Sequence, residues 1–154
     1  MTINNKDIKE AWRQWTAKKD WDYFVSLAFN PQPFGRYWSV QDAARDLHEW
    51  HARNDRLMLG GRWHNKPHKR TQFYGFVEHV DSNIHWHLMV KLRSDKHEIF
   101  ETEAGDVWKK LIPSGSNKIK HAQADEDANK TFSRYCGKAI YINDPAENIQ
   151  FSQS

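Results

Sequence analysis

Two histidines in one apolar segment form the sharpest candidate for chemistry. His85 and His87 flank Trp86 in the run IHWHLMV. Side chains alternate between the two faces of an extended strand, so both imidazoles would lie on one face and Trp86 on the other. Two imidazoles at this spacing can share a divalent metal ion. The same pair also suits a half-exposed strand without a metal, so a further ligand is needed to choose between the two interpretations.

Glu78 is that further ligand if the chain around it forms a hairpin. Residues 73–80 and 84–92 have the pattern of two strands, separated by three polar turn-forming residues. A two-residue turn midway between them would place Glu78 directly opposite His85, whereas a slip of one residue would turn it to the other face. Two imidazoles and one carboxylate leave coordination positions open, as a catalytic metal needs. His79 is predicted to alternate away from Glu78 and to be structural or exposed.

A tyrosine and a lysine near the C-terminus form a second candidate. Tyr135 and Lys138 lie in the predicted helix 126–142, three residues apart and therefore on one face. A tyrosine can be a covalent nucleophile towards phosphorus, and a neighbouring cation favours its phenolate form. The same residues also suit the apolar stripe of an amphipathic helix. Tyr141 follows six residues later and lies well round the helix, so Tyr135 is the favoured nucleophile.

A basic stretch precedes the two strands. From Arg56 to Arg70 the chain carries five Lys/Arg residues and no acidic residue, and two glycines and a proline mark the segment as a loop. Cations interleaved with a tryptophan suit a phosphate backbone with unstacked bases, although a solvated surface loop has the same composition. The candidate nucleic-acid contacts are Arg56, Arg62, Trp63, Lys66, Lys69 and Arg70.

The elements that would position these residues alternate between strands and helices. The predicted order is helix 5–18, strand 22–29, helix 40–57 with Ser39 as its N-cap, strands 73–80 and 84–92, helix 96–111, strand 118–123 and helix 126–142. Hairpin-like strands with helices between them predict an α+β fold, in which helices flank an antiparallel sheet.

Length and composition limit the class of protein. The 154 residues suit one domain, with 38% hydrophobic residues and no apolar run long enough to span a membrane. The single cysteine, Cys136, excludes an internal disulfide and fits a reducing compartment. A formal net charge of +3 is too small to indicate nucleic-acid binding by itself, but residues 1–72 hold 13 Lys/Arg against 8 Asp/Glu.

The motifs in their order along the chain resemble the HUH endonuclease superfamily, specifically the Rep-type initiators of rolling-circle replication. The strand FVSLAFN at 24–30 is similar to the first family motif. His85-Trp86-His87 with Glu78 upstream is similar to the second, and Tyr135-x-x-Lys138 to the third. The resemblance covers about residues 22–142. Each motif is short, so the resemblance depends on their order and on the elements that carry them.

The resemblance implies a five-stranded antiparallel sheet flanked by helices, related to the RNA-recognition or ferredoxin-like fold. Four strands are clear in the sequence, so the fifth is expected within 36–38 or 57–63. Residues 1–142 would form the endonuclease domain, and residues 143–154 a C-terminal tail or linker.

The resemblance also implies an activity. The protein would be a metal-dependent, sequence-specific single-stranded DNA nickase and strand-joining enzyme that initiates rolling-circle replication. Glu78, His85 and His87 would hold Mn²⁺ or Mg²⁺. Tyr135 would attack the scissile phosphate to give a 5′-phosphotyrosine and a free 3′-hydroxyl, with Lys138 positioning the phosphate. The substrate would be the unpaired loop of an origin hairpin, because a nucleophile cannot easily reach a stacked duplex.

The expected partners follow from what the sequence lacks. No phosphate-binding Gly-x-x-x-x-Gly-Lys-Ser/Thr motif is present, so a separate helicase and a host DNA polymerase are expected, unless this nuclease comes from a longer protein. The expected location is the cytoplasm of a prokaryotic host, or the host nucleus for a eukaryotic virus. The alternatives are a single-tyrosine transposase or relaxase, a non-catalytic module that binds single strands, and a zinc hydrolase that activates water.

Overall fold

The computed structural model describes residues 7, 10, 11, 14, 20–122 and 149–152. Within this part of the chain, five strands, two α-helices and two short 3-10 helices (Trp63–Asn65 and Pro67–Lys69) have defined bounds. The strands and α-helices are, in chain order, β1 (Tyr23–Ala28), α1 (Val40–Leu59), β2 (Gln72–Glu78), β3 (His85–Lys91), α2 (His97–Leu111), β4 (Ser116–His121) and β5 (Ile149–Phe151). The predicted helix 126–142 and most of the predicted helix 5–18 lie outside the described residues.

The five strands form one sheet in the order β4-β1-β3-β2-β5, and every neighbouring pair is antiparallel. The predicted α+β class with an antiparallel, five-stranded sheet is therefore confirmed. From β1 to β4 the elements follow the order β-α-β-β-α-β, which is the order of elements in ferredoxin-like folds. This topology places β3 between β1 and β2, so the candidate histidines lie in the middle of the sheet.

The fifth strand is not where it was expected. Neither 36–38 nor 57–63 forms a strand, and β5 pairs with β2 at the edge of the sheet. The segment 57–63 is not extended because α1 continues to Leu59, and Gly60 ends it with a φ of 84°. Three residues of the segment assigned to a tail or linker, 143–154, thus belong to the sheet. A strand of three residues is too short to show an alternating pattern in the sequence.

The two faces of the sheet have different surroundings. One face packs against both helices in the main core, where the largest fully buried side chains include Trp50, Trp86, Trp108, Phe73 and Phe100. The opposite face carries a smaller cluster formed by Trp21, Phe24, Phe76 and Met89. Glu78 and His87 share this second face with Phe76, because they alternate with residues of the main core.

The start of α1 confirms the predicted cap. The Ser39 hydroxyl accepts a hydrogen bond from the backbone N–H of Asp42 at 3.1 Å, and the Asp42 carboxylate accepts one from the backbone N–H of Ser39 at 3.5 Å. The hydrogen bond with the Ser39 hydroxyl lowers the pKa of Asp42 below its ordinary value. The reciprocal pair satisfies backbone donors that the first turn of a helix leaves without partners.

Candidate functional site

The register of the β2–β3 hairpin places Glu78 directly opposite His85 and Phe76 opposite His87, as predicted. The connection is longer than the expected two-residue turn, since residues 79–84 lie between the strands. A longer loop with the same even offset keeps the same face. Glu78 and both histidines consequently share the sheet face that is turned away from α1 and α2.

Each candidate histidine is fixed through the same ring nitrogen. Nδ1 of His87 lies 3.2 Å from the Ser26 hydroxyl, and Nδ1 of His85 contacts the backbone carbonyl of Asn83. The two rings are nearly parallel, with an interplanar angle of 3° and centroids 6.2 Å apart. A carbonyl or hydroxyl on one ring nitrogen is the usual arrangement around a metal-binding histidine, because it orients the ring and fixes its tautomer. Nε2 of each ring is therefore the nitrogen that a metal ion would use.

Glu78 and His87 already contact one another. Nε2 of His87 lies 2.9 Å from Oε2 of Glu78, and both side chains are more than four-fifths buried. Burial lowers the pKa of His87 below its ordinary value, although the hydrogen bond and charge of Glu78 act in the opposite direction. Near neutral pH the ring is thus neutral, which is the form that binds metal ions.

The donor set fits a divalent metal ion. A separation of 2.9 Å between His87 Nε2 and Glu78 Oε2 matches the distance of about 3 Å between adjacent donors around an octahedral ion with bonds of about 2.1 Å. Two imidazoles among three ligands favour a first-row transition ion such as Mn²⁺ over Mg²⁺, which prefers oxygen. Among the described residues, no three histidine, cysteine or acidic side chains are arranged around one point as a bound metal ion would need.

His79 also joins this cluster, although alternation predicted that it points away from Glu78. Its φ of 57° is left-handed, so the chain leaves the extended conformation at this residue. As a result, His79 Nε2 lies 3.7 Å from Glu78 Oε1, and its ring centroid lies 5.6 Å from that of His85. The prediction that His79 alternates away from Glu78 was therefore wrong, because the chain leaves the extended conformation at this residue. The prediction that it is structural or exposed is confirmed, since its side chain is 57% exposed.

Two lysines of β4 that no sequence motif marks as candidates also face the site. The register pairs Lys118 with Ser26 and Lys120 with Phe24, so both lysines lie on the same sheet face as His87. Ser26 is also paired with His87, which puts the backbones of Lys118 and His87 about 10 Å apart, two strand spacings. The alternation of residues 118–121 is visible in the sequence, but the pairing of β4 with β1 is not.

The predicted nucleophile and its neighbouring cation, Tyr135 and Lys138, lie outside the described residues. The described part of the chain holds the predicted metal ligands Glu78, His85 and His87 and brings them to one face. The Tyr-x-x-Lys motif remains a sequence-based prediction.

The basic loop lies far from these ligands. It precedes Gln72 at the start of β2, whereas Glu78 is the last residue of the same strand. Six residues of extended strand separate the two by about 20 Å. The structure therefore does not bring the basic loop and the candidate metal ligands together.

Three of the six predicted nucleic-acid contacts make contacts within the protein. The Arg70 guanidinium lies 4.6 Å from the ring centroid of Trp63, and its Nε donates to Asp55 at 2.8 Å. Lys66 Nζ donates to the Leu59 carbonyl at 2.9 Å, at the end of α1. Arg56, Arg62 and Lys69 are exposed. The loop is thus partly held by its own cations, and the three exposed cations remain available to a nucleic acid.

Two clefts beside the basic loop are lined by several positively charged side chains. One, of about 410 Å³, is lined by the cations Lys66, Lys69, Arg93 and Lys96 together with Asp95. The other, of about 490 Å³, is lined by Arg53, Arg56 and Lys110. This end of the molecule therefore offers a cationic surface that suits a phosphate backbone.

Comparisons with known proteins yield a structural match but no family. No protein-family model matches the chain, and no curated protein matches it. Among solved structures, it is similar to the crystal structure of the hypothetical protein ORF119 from Sulfolobus islandicus rod-shaped virus 1, with 15% sequence identity and a TM-score of 0.47. The match covers 86% of this chain and 93% of that chain. Among the residues described, no helix is long and apolar enough to cross a membrane.

Proposed function

We propose that this protein is a metal-dependent single-stranded DNA endonuclease and strand-joining enzyme of the HUH type, acting as a Rep-like initiator of replication. The observation that carries the proposal is the contact between Glu78 and His87, with His85 on the same face. Nδ1 of His87 contacts Ser26 in β1, and Nδ1 of His85 contacts the backbone of the hairpin loop. The order of the three sequence motifs along the chain also supports the proposal.

A divalent ion bound by Glu78, His85 and His87 would supply polarisation of the scissile phosphate. Ser26 keeps His87 oriented, and its register partner Lys118 places a cation on the same face. A lysine ammonium can donate to a phosphate oxygen and offset the negative charge that develops during its displacement. In this proposal, the described residues would supply both the metal ligands and a phosphate-binding group.

Tyr135 enters the proposal as the nucleophile on its sequence motif alone. Its hydroxyl oxygen would bond to phosphorus while the bond from phosphorus to the 3′ oxygen breaks, and the phenol proton would end on that 3′ oxygen. Lys138 would steady the phosphate. The products are a 5′-phosphotyrosine and a 3′-hydroxyl, and attack of a 3′-hydroxyl on the phosphotyrosine would rejoin a strand.

The proposed substrate is an unpaired segment of DNA, such as the loop of an origin hairpin. The exposed cations Arg56, Arg62 and Lys69 would contact the DNA backbone away from the point of cleavage, because they lie at the other end of β2. A released 3′-hydroxyl primes synthesis, so a separate helicase and a DNA polymerase are the proposed partners.

A comparison of two histidine variants tests the metal site. A pool of single-stranded oligonucleotides of randomised sequence is incubated with the protein and Mn²⁺, with EDTA as the blank, and cleavage is read on a denaturing gel. His87→Ala should abolish cleavage while binding of the pool, measured by fluorescence anisotropy in EDTA, changes little. His64→Ala, which removes an exposed histidine of the basic loop, should cleave as the wild type does.

Cleavage by His87→Ala at the wild-type rate would refute the metal site. Equal loss of binding and cleavage in that variant would mean that the histidine pair is structural. Binding without any cleavage by the wild type would favour the non-catalytic module instead.

A further inference from the structure

Two aromatic side chains between β1 and α1 are turned towards solvent. Phe34 is 110% exposed and Tyr37 is 74% exposed, relative to an open reference chain. Their neighbours Phe29 and Trp38, on either side, are buried in the main core. Exposed large apolar side chains that lie together usually mark an interaction surface, because their exposure to water is unfavourable.

The loop that carries these rings begins beside the candidate metal ligands. It leaves β1 after Ala28, which is paired with His85. Asn30 then forms a reciprocal pair with Asn83, in which the Asn30 backbone N–H donates to Asn83 at 2.9 Å and the Asn83 amide donates back at 2.8 Å. The Asn83 carbonyl contacts His85 Nδ1. Hydrogen bonds therefore attach the start of this loop to the β2–β3 hairpin, which carries the candidate metal ligands.

The conformation of the loop keeps Phe34 exposed at an energetic cost. Phe34 has a φ of 61°, in the left-handed region that bulky side chains rarely adopt. A turn fixes it, since the backbone N–H of Gly35 donates to the Gln32 carbonyl at 2.9 Å. Glycine would hold the same backbone without strain. An aromatic ring in this position contributes nothing to the core, so its role lies at the surface.

A positively charged residue, Arg36, lies between Phe34 and Tyr37 in the sequence. The guanidinium of Arg36 lies 4.9 Å from the ring centroid of Trp38 and 3.6 Å from the Asp46 carboxylate, and its side chain is about half exposed. An arginine adjacent in the sequence to two exposed aromatic residues suits a single strand whose bases stack on the rings and whose phosphates contact the guanidinium.

We infer that Phe34 and Tyr37 form a stacking platform for unpaired bases next to the scissile phosphate, with Arg36 as a phosphate contact. This inference rests on the proposed function and names residues that hold its substrate. It places the single strand at the Glu78 end of the sheet, whereas the basic loop lies at the opposite end.

Single-stranded oligonucleotides that contain 2-aminopurine test the platform, because stacking on an aromatic ring quenches the fluorescence of this base. Binding is measured in EDTA by anisotropy, so that cleavage does not interfere. Phe34→Ala and Tyr37→Ala should each weaken binding about 5- to 100-fold, the range expected for loss of one stacked base, and should reduce quenching. Phe34→Trp should retain both.

Thr102→Ala is the control, because Thr102 is an exposed, uncharged residue of α2, which packs on the sheet face opposite the candidate metal ligands, and it should bind as the wild type does. Thermal unfolding of each variant verifies that the fold is intact. Wild-type affinity and quenching in both Phe34→Ala and Tyr37→Ala would overturn the inference, yet cleavage by the wild type would leave the proposed function standing. If Phe34→Ala instead abolishes self-association in sedimentation velocity and leaves DNA binding intact, the surface contacts protein and the inference is wrong.

Discussion

Glu78 contacts His87, which lies diagonally across the hairpin, although His85 is its direct partner in register. The Oε2 to Nε2 distance is 2.9 Å, and the register pairs Glu78 with His85. Diagonal neighbours on one sheet face are within reach of a long side chain. The carboxylate thus contacts the imidazole of His87, while the backbone register pairs Glu78 with the other candidate ligand, His85.

Ser26 should tune the metal site without being a ligand. Its hydroxyl lies 3.2 Å from His87 Nδ1, so Ser26→Ala removes a group that orients the ring. Loss of such an outer partner typically weakens metal affinity about 10- to 100-fold. Isothermal titration with Mn²⁺ measures the change, and Ser94→Ala, at the other end of the sheet, should leave affinity unchanged. Equal affinities in wild type and Ser26→Ala would contradict this role.

Asp55 should be essential for stability. Its carboxylate is fully buried and accepts hydrogen bonds from Arg70 Nε at 2.8 Å and from the Thr71 backbone N–H at 3.0 Å. Asp55→Ala leaves these donors without an acceptor and should reduce the free energy of unfolding by about 3 kcal/mol. Urea unfolding measures this. Arg53→Ala breaks an exposed pair with Glu49 and should cost less than about 1 kcal/mol. Similar losses in the two variants would contradict the assignment.

His51 should make stability depend on pH. Its Nε2 donates to the Thr71 carbonyl at 2.7 Å and its Nδ1 accepts from Arg70 at 3.1 Å, so the ring is held neutral. Burial lowers the pKa of His51 below its ordinary value, and Arg70 and His48 add to this, whereas Asp55 opposes it.

The unfolded chain therefore binds the proton first as the pH falls. The contribution of the neutral ring is complete above about pH 6.5 and is lost as the pH falls towards the lower pKa of the folded state. Urea unfolding from about pH 7 to about pH 5 should show a decline that is smaller in His51→Gln and unchanged in His64→Ala. An identical decline in His51→Gln would exclude His51 as its source.

Lys118 should contribute a single phosphate contact. Replacing it by alanine should lower the affinity for single-stranded DNA and reduce the slope of log affinity against log salt by about 0.7, the value for one contact to a single strand. Arg45→Ala removes a cation that is paired with Asp42 on α1 and is the control. An unchanged slope in Lys118→Ala would show that the lysine does not meet the DNA backbone.

The part of the site that could be predicted from the sequence depends on local spacing. Six residues, an even number, separate Glu78 from His85, so an antiparallel hairpin centred between them pairs the two directly and places them on one face. The cap at Ser39 follows from similarly local chemistry. The same reasoning fails for His79, because its left-handed φ breaks the alternation of side chains between the two sheet faces.

Features that depend on distant pairing could not be predicted. Lys118 lies on the same sheet face as His87 only because β4 pairs with β1. The strand β5 belongs to the sheet only because it pairs with β2 at the edge of the sheet. The sequence PQPFGRYW marks a break after β1. Only the folded chain indicates that Phe34 and Tyr37 face solvent while Trp38 is buried.

The most direct test of the proposed endonuclease is the detection of its covalent intermediate. The oligonucleotide pool is labelled at the 3′ end, because a 5′-phosphotyrosine would keep the 3′ fragment on the protein, and denaturing gels follow the label after incubation with Mn²⁺. The expected result is a labelled protein band that requires the metal, is absent in Tyr135→Phe and persists in Tyr141→Phe and Tyr37→Phe. Cleavage by the wild type without such a band, or a band of unchanged intensity in Tyr135→Phe, would contradict it.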